Sequence, residues 1–304
     1  MTNPAYVSVD WGTSSFRLWL IGRDGSILAE RRSGEGMTSA AKTGFSTVLS
    51  GHLAAVEAPA SLPVIVCGMA GAKQGWFEAG YIDVPASLAS ILTGAVSVPG
   101  ESRDIRILPG LAQRDAARPD VMRGEETQLL GALGRASVGA QAVCMPGTHS
   151  KWVHVNDGKV TGFSTFMTGE LFDAISKHTI LSHAVSGAEE QPADAAAFEA
   201  AVSTAFAQPA LASNMLFAAR SGQLLHGISA AAAQARLSGT LIGLEIAGAL
   251  QDAANSSITL VASGRLQALY EQAFRTLSLD FTAIDADAAV RRGLSAAAEA
   301  IWPN

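Results

Sequence analysis

The chain has 304 residues, 48% hydrophobic and 16% charged, with a formal net charge of −6 and a pI near 5.5. That length suits two lobes of ordinary domain size and would also fit one large α/β barrel. The composition excludes a disordered chain, and the acidic balance gives no broad basic field for nucleic acid or anionic lipid.

The opening runs straight into a strand pattern, with neither a basic n-region nor a cleavable apolar segment, so export is not expected and a cytoplasmic location is. Tyr6 to Asp10 and Phe16 to Ile21 are short runs of aromatic and branched residues, and Asp24-Gly25 is a turn signal before a third strand, Ser26 to Glu30. Thr43 to Val56 has the periodicity of an amphipathic helix, Leu62 to Cys67 that of a buried strand with a Gly-rich exit, and Ser87 to Thr93 is a further helical patch. After a strand at Ile105 to Leu108, the polar stretch from Ala112 to Pro119 predicts the boundary between a lobe over 1–118 and one over 119–304.

A helix is expected from Gly124, a second strand system from Ala142 to Met145, and helices over Ala193 to Phe206 and Ala230 to Leu250. The most apolar part of the last, Leu237 to Leu250, contains Glu245 and three glycines and falls short of the ~20 residues a bilayer needs, so it predicts a buried helix and no membrane partner. Ile258 to Ala262 reads as a buried strand ending in Ser263-Gly264, and Ala288 to Ile301 as a closing helix. Strands alternating with helices give an α/β class. Cys67 and Cys144 each close an apolar run, which predicts buried thiols rather than a disulfide or a metal pair.

The most informative feature is internal. Val7 to Ser15, with Asp10-Trp11-Gly12-Thr13-Ser14-Ser15, is echoed 135 positions later by Ala142 to Ser150, with Met145-Pro146-Gly147-Thr148-His149-Ser150. Each is an apolar strand followed by Gly-Thr-x-Ser, a strand containing Trp, and an Asp-Gly turn. A glycine at such a turn lets backbone N–H groups approach a phosphate, and the Thr and Ser hydroxyls add donors. The candidate phosphate contacts are therefore Gly12, Thr13 and Ser14 in the first loop and Gly147, Thr148, His149 and Ser150 in the second. Asp10 ends its strand at the first loop, where a carboxylate can hold Mg²⁺ through waters. Lys151 reads equally as a phosphate or substrate contact and as a charge heading an exposed hairpin.

Between the loops stands Arg123-Gly124-Glu125-Glu126-Thr127-Gln128. The glycine starts a helix and the acids fall in its first turn, where the dipole favours them; either Glu could also accept the proton of a substrate hydroxyl during in-line attack on a phosphoryl group.

These motifs, in this order, resemble the actin-like ATPase and sugar kinase superfamily. Asp10 to Arg17, Met122 to Ala132, Met145 to Val153 and Thr168-Gly169-Glu170-Leu171 are together similar to the 2-dehydro-3-deoxygalactonokinase family. The resemblance implies a two-lobed, ribonuclease H-like α/β fold with a nucleotide cleft between lobes, and ATP-dependent phosphorylation of the 6-hydroxyl of 2-dehydro-3-deoxy-D-galactonate in galactonate breakdown. It also implies Asp10 on the Mg²⁺ side, the two Gly-Thr loops on the phosphates, Glu125 or Glu126 as base, and Ser263-Gly264 against the adenosine. A sugar-acid carboxylate needs a cation or a run of backbone donors; the candidate cations are Arg17, Lys73 and Arg123, and the loop with Lys73 and Trp76, rather than Arg123, is expected to border the sugar. A homodimer is the default oligomer.

Other chemistries fit less well. The six histidines form no H-E-x-x-H pattern for a zinc hydrolase, and no G-x-S-x-G elbow supports a serine hydrolase. The rivals that share the fold are a phosphate-releasing hydrolase, a kinase of another sugar acid, and an ATP-driven switch.

Overall fold

The structure, a computed structural model, describes residues 3–134, 138–251 and 257–303. The chain opens with β1 (Pro4–Trp11), β2 (Phe16–Gly22), β3 (Ile27–Ser33), α1 (Met37–Thr43), α2 (Phe45–Ala55) and β4 (Val64–Gly68). Short elements follow: β5 (Tyr81–Asp83), β6 (Ala86–Ser87), α3 (Ser90–Thr93), β7 (Val96–Ser97), β8 (Ile105–Ile107), β9 (Gly110–Gln113) and β10 (Asp120–Met122). Next come α4 (Glu125–Leu133), β11 (Ala140–Met145), β12 (Ser150–Asn156), β13 (Lys159–Phe166), α5 (Thr168–His178) and α6 (Ser182–Val185). The chain closes with α7 (Ala195–Ala207), α8 (Ala212–His226), α9 (Ala230–Ala249), β14 (Ser257–Ala262), α10 (Gly264–Thr276), β15 (Phe281–Asp285) and α11 (Ala286–Ile301).

Two compact units result, Met1–Gly139 with Val155–Phe163 and Asp285–Asn304, and Ala140–His154 with Ser164–Ile284. The expected boundary at 118/119 falls inside the first unit. Residues following it, which the sequence assigns to the second lobe, count with the first because α4 packs on α11.

The first unit is built on a sheet of order β3-β2-β1-β4-β8-β7, antiparallel between β1 and β2 and parallel from β1 through β4 to β8. β1 and β4 are covered on both faces, which is why they read as near-continuous apolar runs. On one face, Val7, Val9 and Trp11 join Phe45, Val48 and Leu49 of α2. The single helix expected over 43–56 is two helices instead: Gly44, at φ 99°, ends α1 with its N–H on the Ala40 carbonyl, and α2 restarts at Phe45.

α4 and α11 cross at two glycines. A Cβ on Gly293 would lie 2.0 Å from the Thr127 carbonyl oxygen, and one on Gly131 1.8 Å from that of Ala289. This close approach fixes α4, and with it the acid pair at its first turn. Gly293→Ala is expected to destabilise the chain by about 3 kcal/mol or more, because rigid backbone must move; urea unfolding of the variant measures it.

In the second unit β15, β14, β11 and β12 lie in that order in one sheet, with β11 parallel to β14. The core gathers Cys144, Trp152, Phe198, Val202, Ile242, Ile246, Leu260 and Phe274. The glycines that interrupt the apolar run of α9 have a packing reason: Cβ atoms on Gly239 and Gly243 would each come within 2.5 Å of an α7 carbonyl oxygen. Both cysteines are free and buried, and among the described residues no helix is long and apolar enough to cross a membrane.

Candidate active site

β1 and β2 meet in a turn closed by the Gly12 N–H on the Ser15 carbonyl at 2.9 Å, which leaves Thr13 and Ser14 exposed at the tip. The start of α1 backs it, with the Met37 and Thr38 N–H groups on the Gly12 and Thr13 carbonyls. The register sets Asp10 opposite Arg17, and their side chains form an ion pair. Arg17 also pairs with Asp287 at the start of α11, which in turn holds Arg32 at 2.7 Å. Burial works against the Arg17 charge, yet the two carboxylates outweigh it and its pKa moves up. This corrects one sequence expectation, since a guanidinium already held by two carboxylates is not free to bind a sugar-acid carboxylate. The other oxygen of Asp10 faces the buried Cys67 thiol.

The acid pair begins α4 as expected, but its members differ. Glu125 is half-buried and accepts the Arg123 N–H at 3.1 Å. Glu126 is 0% exposed, and accepts the Gly124 N–H at 2.6 Å and the Thr127 hydroxyl at 2.9 Å. Burial, helped by the Glu125 charge, pushes the Glu126 carboxyl up to about 7 against the pull of those donors. Glu126 and Asp10 both act electrostatically on the Cys67 thiol, so the two acids lie around one point at the end of β4.

Arg123 reaches the loop that follows β4. Its Nη2 donates to the Ala79 carbonyl at 2.7 Å, its guanidinium lies 4.4 Å from the centre of the Tyr81 ring, and Nε and Nη1 are buried without a hydrogen-bond partner. A Cβ on Gly71 would meet Nη1 at 2.9 Å, so Arg123 and this loop form one cluster rather than two competing candidates. Lys73 is exposed on that loop. The Trp76 ring stacks on Phe45 and meets Trp11 edge-on, packed against the core, so it anchors the loop instead of lining a sugar pocket.

In the second unit the matching hairpin joins β11 to β12. Thr148 and His149 are exposed, and Ser150 is buried with its hydroxyl 3.1 Å from that of Tyr270. The start of α5 pins the turn: the Glu170 N–H donates to the Thr148 carbonyl at 3.0 Å, and the Glu170 carboxylate meets His149 at 2.6 Å. Lys151 is only 6% exposed, with Nζ on the Thr165 hydroxyl at 2.7 Å, so the exposed-hairpin alternative for it does not hold. Ser263 and Gly264 lead into α10, whose Leu266 and Tyr270 line a pocket of about 230 Å³ with Gly147, Thr168, Gly169 and Leu241. A larger hollow beside it, about 560 Å³, shares Ser238, Arg265 and Leu269 with the first.

Sequence reasoning passed over Asp287 and Tyr270, and gave Thr168 and Glu245 no role of their own. Asp287 lies 270 positions from its partner Arg17, and no local spacing signals such a pair.

The chain from 10 to 297 matches the family model described as 2-keto-3-deoxy-galactonokinase. It is 65% identical over 299 residues to the "Probable 2-dehydro-3-deoxygalactonokinase DgoK1" of Rhizobium meliloti (strain 1021), covering 98% of each chain. To the 2-dehydro-3-deoxygalactonokinase of Escherichia coli (strain K12) it is 36% identical, over 97% of this chain and 98% of that one. A crystal structure of a Sinorhizobium meliloti protein carrying the same kinase name superposes with a TM-score of 0.94 at 65% identity, covering 98% and 100%. Component A of the (R)-2-hydroxyglutaryl-CoA dehydratase of Acidaminococcus fermentans, at 13% identity and TM-score 0.51 over 98% and 100%, shares the fold alone.

Proposed function

We infer the course of the reaction from the premise that this chain belongs to the 2-keto-3-deoxy-galactonokinase family. It is a phosphotransferase of the actin-like ATPase fold, acting on 2-dehydro-3-deoxygalactonate in galactonate catabolism. ATP is the phosphoryl donor and the 6-hydroxyl of the sugar acid the acceptor. Glu126 is the base: with Asp10 it lies around one point at the end of β4, and that placement carries the choice, while a carboxyl raised by burial to about 7 suits proton transfer near neutral pH. The hydroxyl oxygen attacks the γ-phosphorus as its proton passes to a Glu126 oxygen, the bond from that phosphorus to the β,γ-bridging oxygen breaks, and ADP leaves.

Gly12, Thr13 and Ser14 of one hairpin and Gly147, Thr148 and His149 of the other act on the phosphates. The pocket beside Gly147 takes the adenosine, with Ser263-Gly264 directing α10 along it. Arg123 and Lys73 serve the substrate carboxylate, Arg123 the more so because two of its buried nitrogens have no partner.

Among the described residues no three His, Cys, Asp or Glu side chains gather to cage a metal. A single carboxylate such as Asp10 at a phosphate turn nevertheless fits Mg²⁺, which keeps most of its waters and shares itself with nucleotide phosphates. When bound, Mg²⁺ neutralises developing phosphate charge. Asp10 would hold its hydrated shell, with Arg17 fixing that carboxylate in place. A supply of ATP is met in the cytoplasm, where we place the reaction.

The test is a panel of 2-keto-3-deoxy sugar acids with ATP and Mg²⁺, read by product mass and by the position of the phosphate. ADP release at a rate indifferent to added sugar acid would instead fit a hydrolase. A second measurement bears on the nucleotide side. A Cβ on Gly169 would lie 2.4 Å from the Gly147 carbonyl oxygen, so Gly169→Ala is expected to raise KM for ATP about tenfold or more and leave KM for the sugar acid near its original value. An unchanged KM for ATP would detach the second hairpin from the nucleotide.

A further inference from the structure

Glu245 lies in the C-terminal third of α9, 1% exposed, and the transfer just described makes no use of it. Donors from three other elements end on its carboxylate. The Trp152 indole N–H of β12 reaches Oε1 at 2.8 Å, the Tyr270 hydroxyl of α10 reaches Oε2 at 2.7 Å, and the hydroxyl of Thr168, the first residue of α5, also meets Oε2. Burial pushes the Glu245 carboxyl up, and Thr168, Tyr270, Trp152 and Ser150 pull against it. Removing a carboxylate from water is costly, and this one sits inside an apolar core where a leucine of similar size would pack without that cost. What it adds is direction.

The one proton of the Tyr270 hydroxyl goes to Glu245 Oε2, which leaves its oxygen facing the Ser150 hydroxyl at 3.1 Å. Ser150 closes the second phosphate turn, while Thr168 stands one residue before the Gly169 that packs on Gly147. Thr168 and Tyr270 also line the pocket of about 230 Å³. One buried acid thus ties together the turn, the helix start that pins it, and two walls of the pocket.

We propose that Glu245 is a positioning residue for the nucleotide, its carboxylate holding the second phosphate turn and the start of α5 in the arrangement that receives ATP. This rests on the reading that the second unit holds the nucleotide. Glu245→Gln keeps the shape but sets an NH₂ against one of the incoming donors, and Tyr270→Phe removes the hydroxyl that joins Glu245 to Ser150 while leaving Trp152 and Thr168 on the carboxylate.

The experiment is calorimetric titration of the full chain with ATP in the absence of sugar acid, followed by steady-state kinetics. Glu245→Gln is expected to weaken ATP binding about tenfold or more, and Tyr270→Phe a few fold in the same direction, with KM for the sugar acid within about twofold of the unmodified chain. A role confined to stability would lower the melting temperature and the fraction of active enzyme, leaving ATP affinity per active site unchanged, and that result overturns the proposal. If Glu245→Gln does not fold, Tyr270→Phe and Thr168→Val decide by the same criterion. Absence of ATP binding by the unmodified chain would overturn the nucleotide reading along with this proposal, whereas variants that match a binding-competent parent overturn this proposal alone.

Discussion

Glu126→Gln is expected to lower kcat by about 10²- to 10⁴-fold, the range for losing a positioned general base, while KM for ATP changes little. The side chain keeps its volume and can still accept the Gly124 N–H, so a folding defect would not explain the loss. In the unmodified chain the pH profile of kcat/KM should fall on the acid side of about 7, where Glu126 takes up a proton. Glu125→Gln should behave differently. Its charge is one of the causes that raise Glu126, so its removal shifts the acid limb to lower pH and leaves most of kcat. Full activity in Glu126→Gln, or an acid limb unmoved by Glu125→Gln, would take the base role away from Glu126.

The same group makes a second, independent signature in stability. Its pKa rises from 4.5 in the unfolded chain to about 7 in the folded one, so the folded state binds more protons through that interval. The folded chain therefore loses stability as pH rises from 4.5 to about 7, and the loss is complete above it. A difference of about 7 minus 4.5 corresponds to roughly 3 kcal/mol. Glu126→Gln removes this dependence, so relative to the parent it should gain up to about 3 kcal/mol between pH 5 and pH 8. Urea melts of both chains at the two pH values measure it.

The two hairpins were legible because a turn imposes its chemistry locally: Gly-Thr-x-Ser between two apolar strands predicts strand, turn and strand, and the same pattern recurs 135 positions on. The Asp10–Arg17 pair was also within reach. A turn that sets Trp11 opposite Phe16 must set Asp10 opposite Arg17, so reading the register would have removed Arg17 from the substrate candidates. α10 could have been found likewise, since Leu266, Leu269, Tyr270, Ala273 and Phe274 repeat at helical spacing after the Ser263-Gly264 turn. Other features could not. Nothing in Arg123-Gly124-Glu125-Glu126 distinguishes the two acids, because their difference is burial, which depends on how α11 presses on α4 through Gly131 and Gly293. Trp76 next to a glycine and a lysine looks like a pocket wall until the core beneath it is seen. Glu245 reads only as a blemish in an apolar helix, since its partners Trp152, Thr168 and Tyr270 come from three distant segments.

Asp10→Asn is expected to lower kcat about 10³-fold, the scale of several kcal/mol of lost charge stabilisation at a transferring phosphoryl group. The substitution keeps the shape of the side chain at the end of β1 and leaves Arg17 its second carboxylate, Asp287, so the hairpin should persist. Two roles remain for Asp10, and Mg²⁺ separates them. If its carboxylate holds the hydrated ion, the Asn chain should bind ATP alone about as well as the parent yet lose the gain in affinity that Mg²⁺ confers, and its activity should need a higher Mg²⁺ concentration. If Asp10 serves only to neutralise Arg17 within the ion-paired group of Arg17, Asp287 and Arg32, the Mg²⁺ dependence should overlay that of the parent while thermal stability falls. Calorimetric titration of ATP with and without Mg²⁺ on both chains distinguishes these outcomes, and overlaying Mg²⁺ curves would remove Asp10 from the metal side of the site.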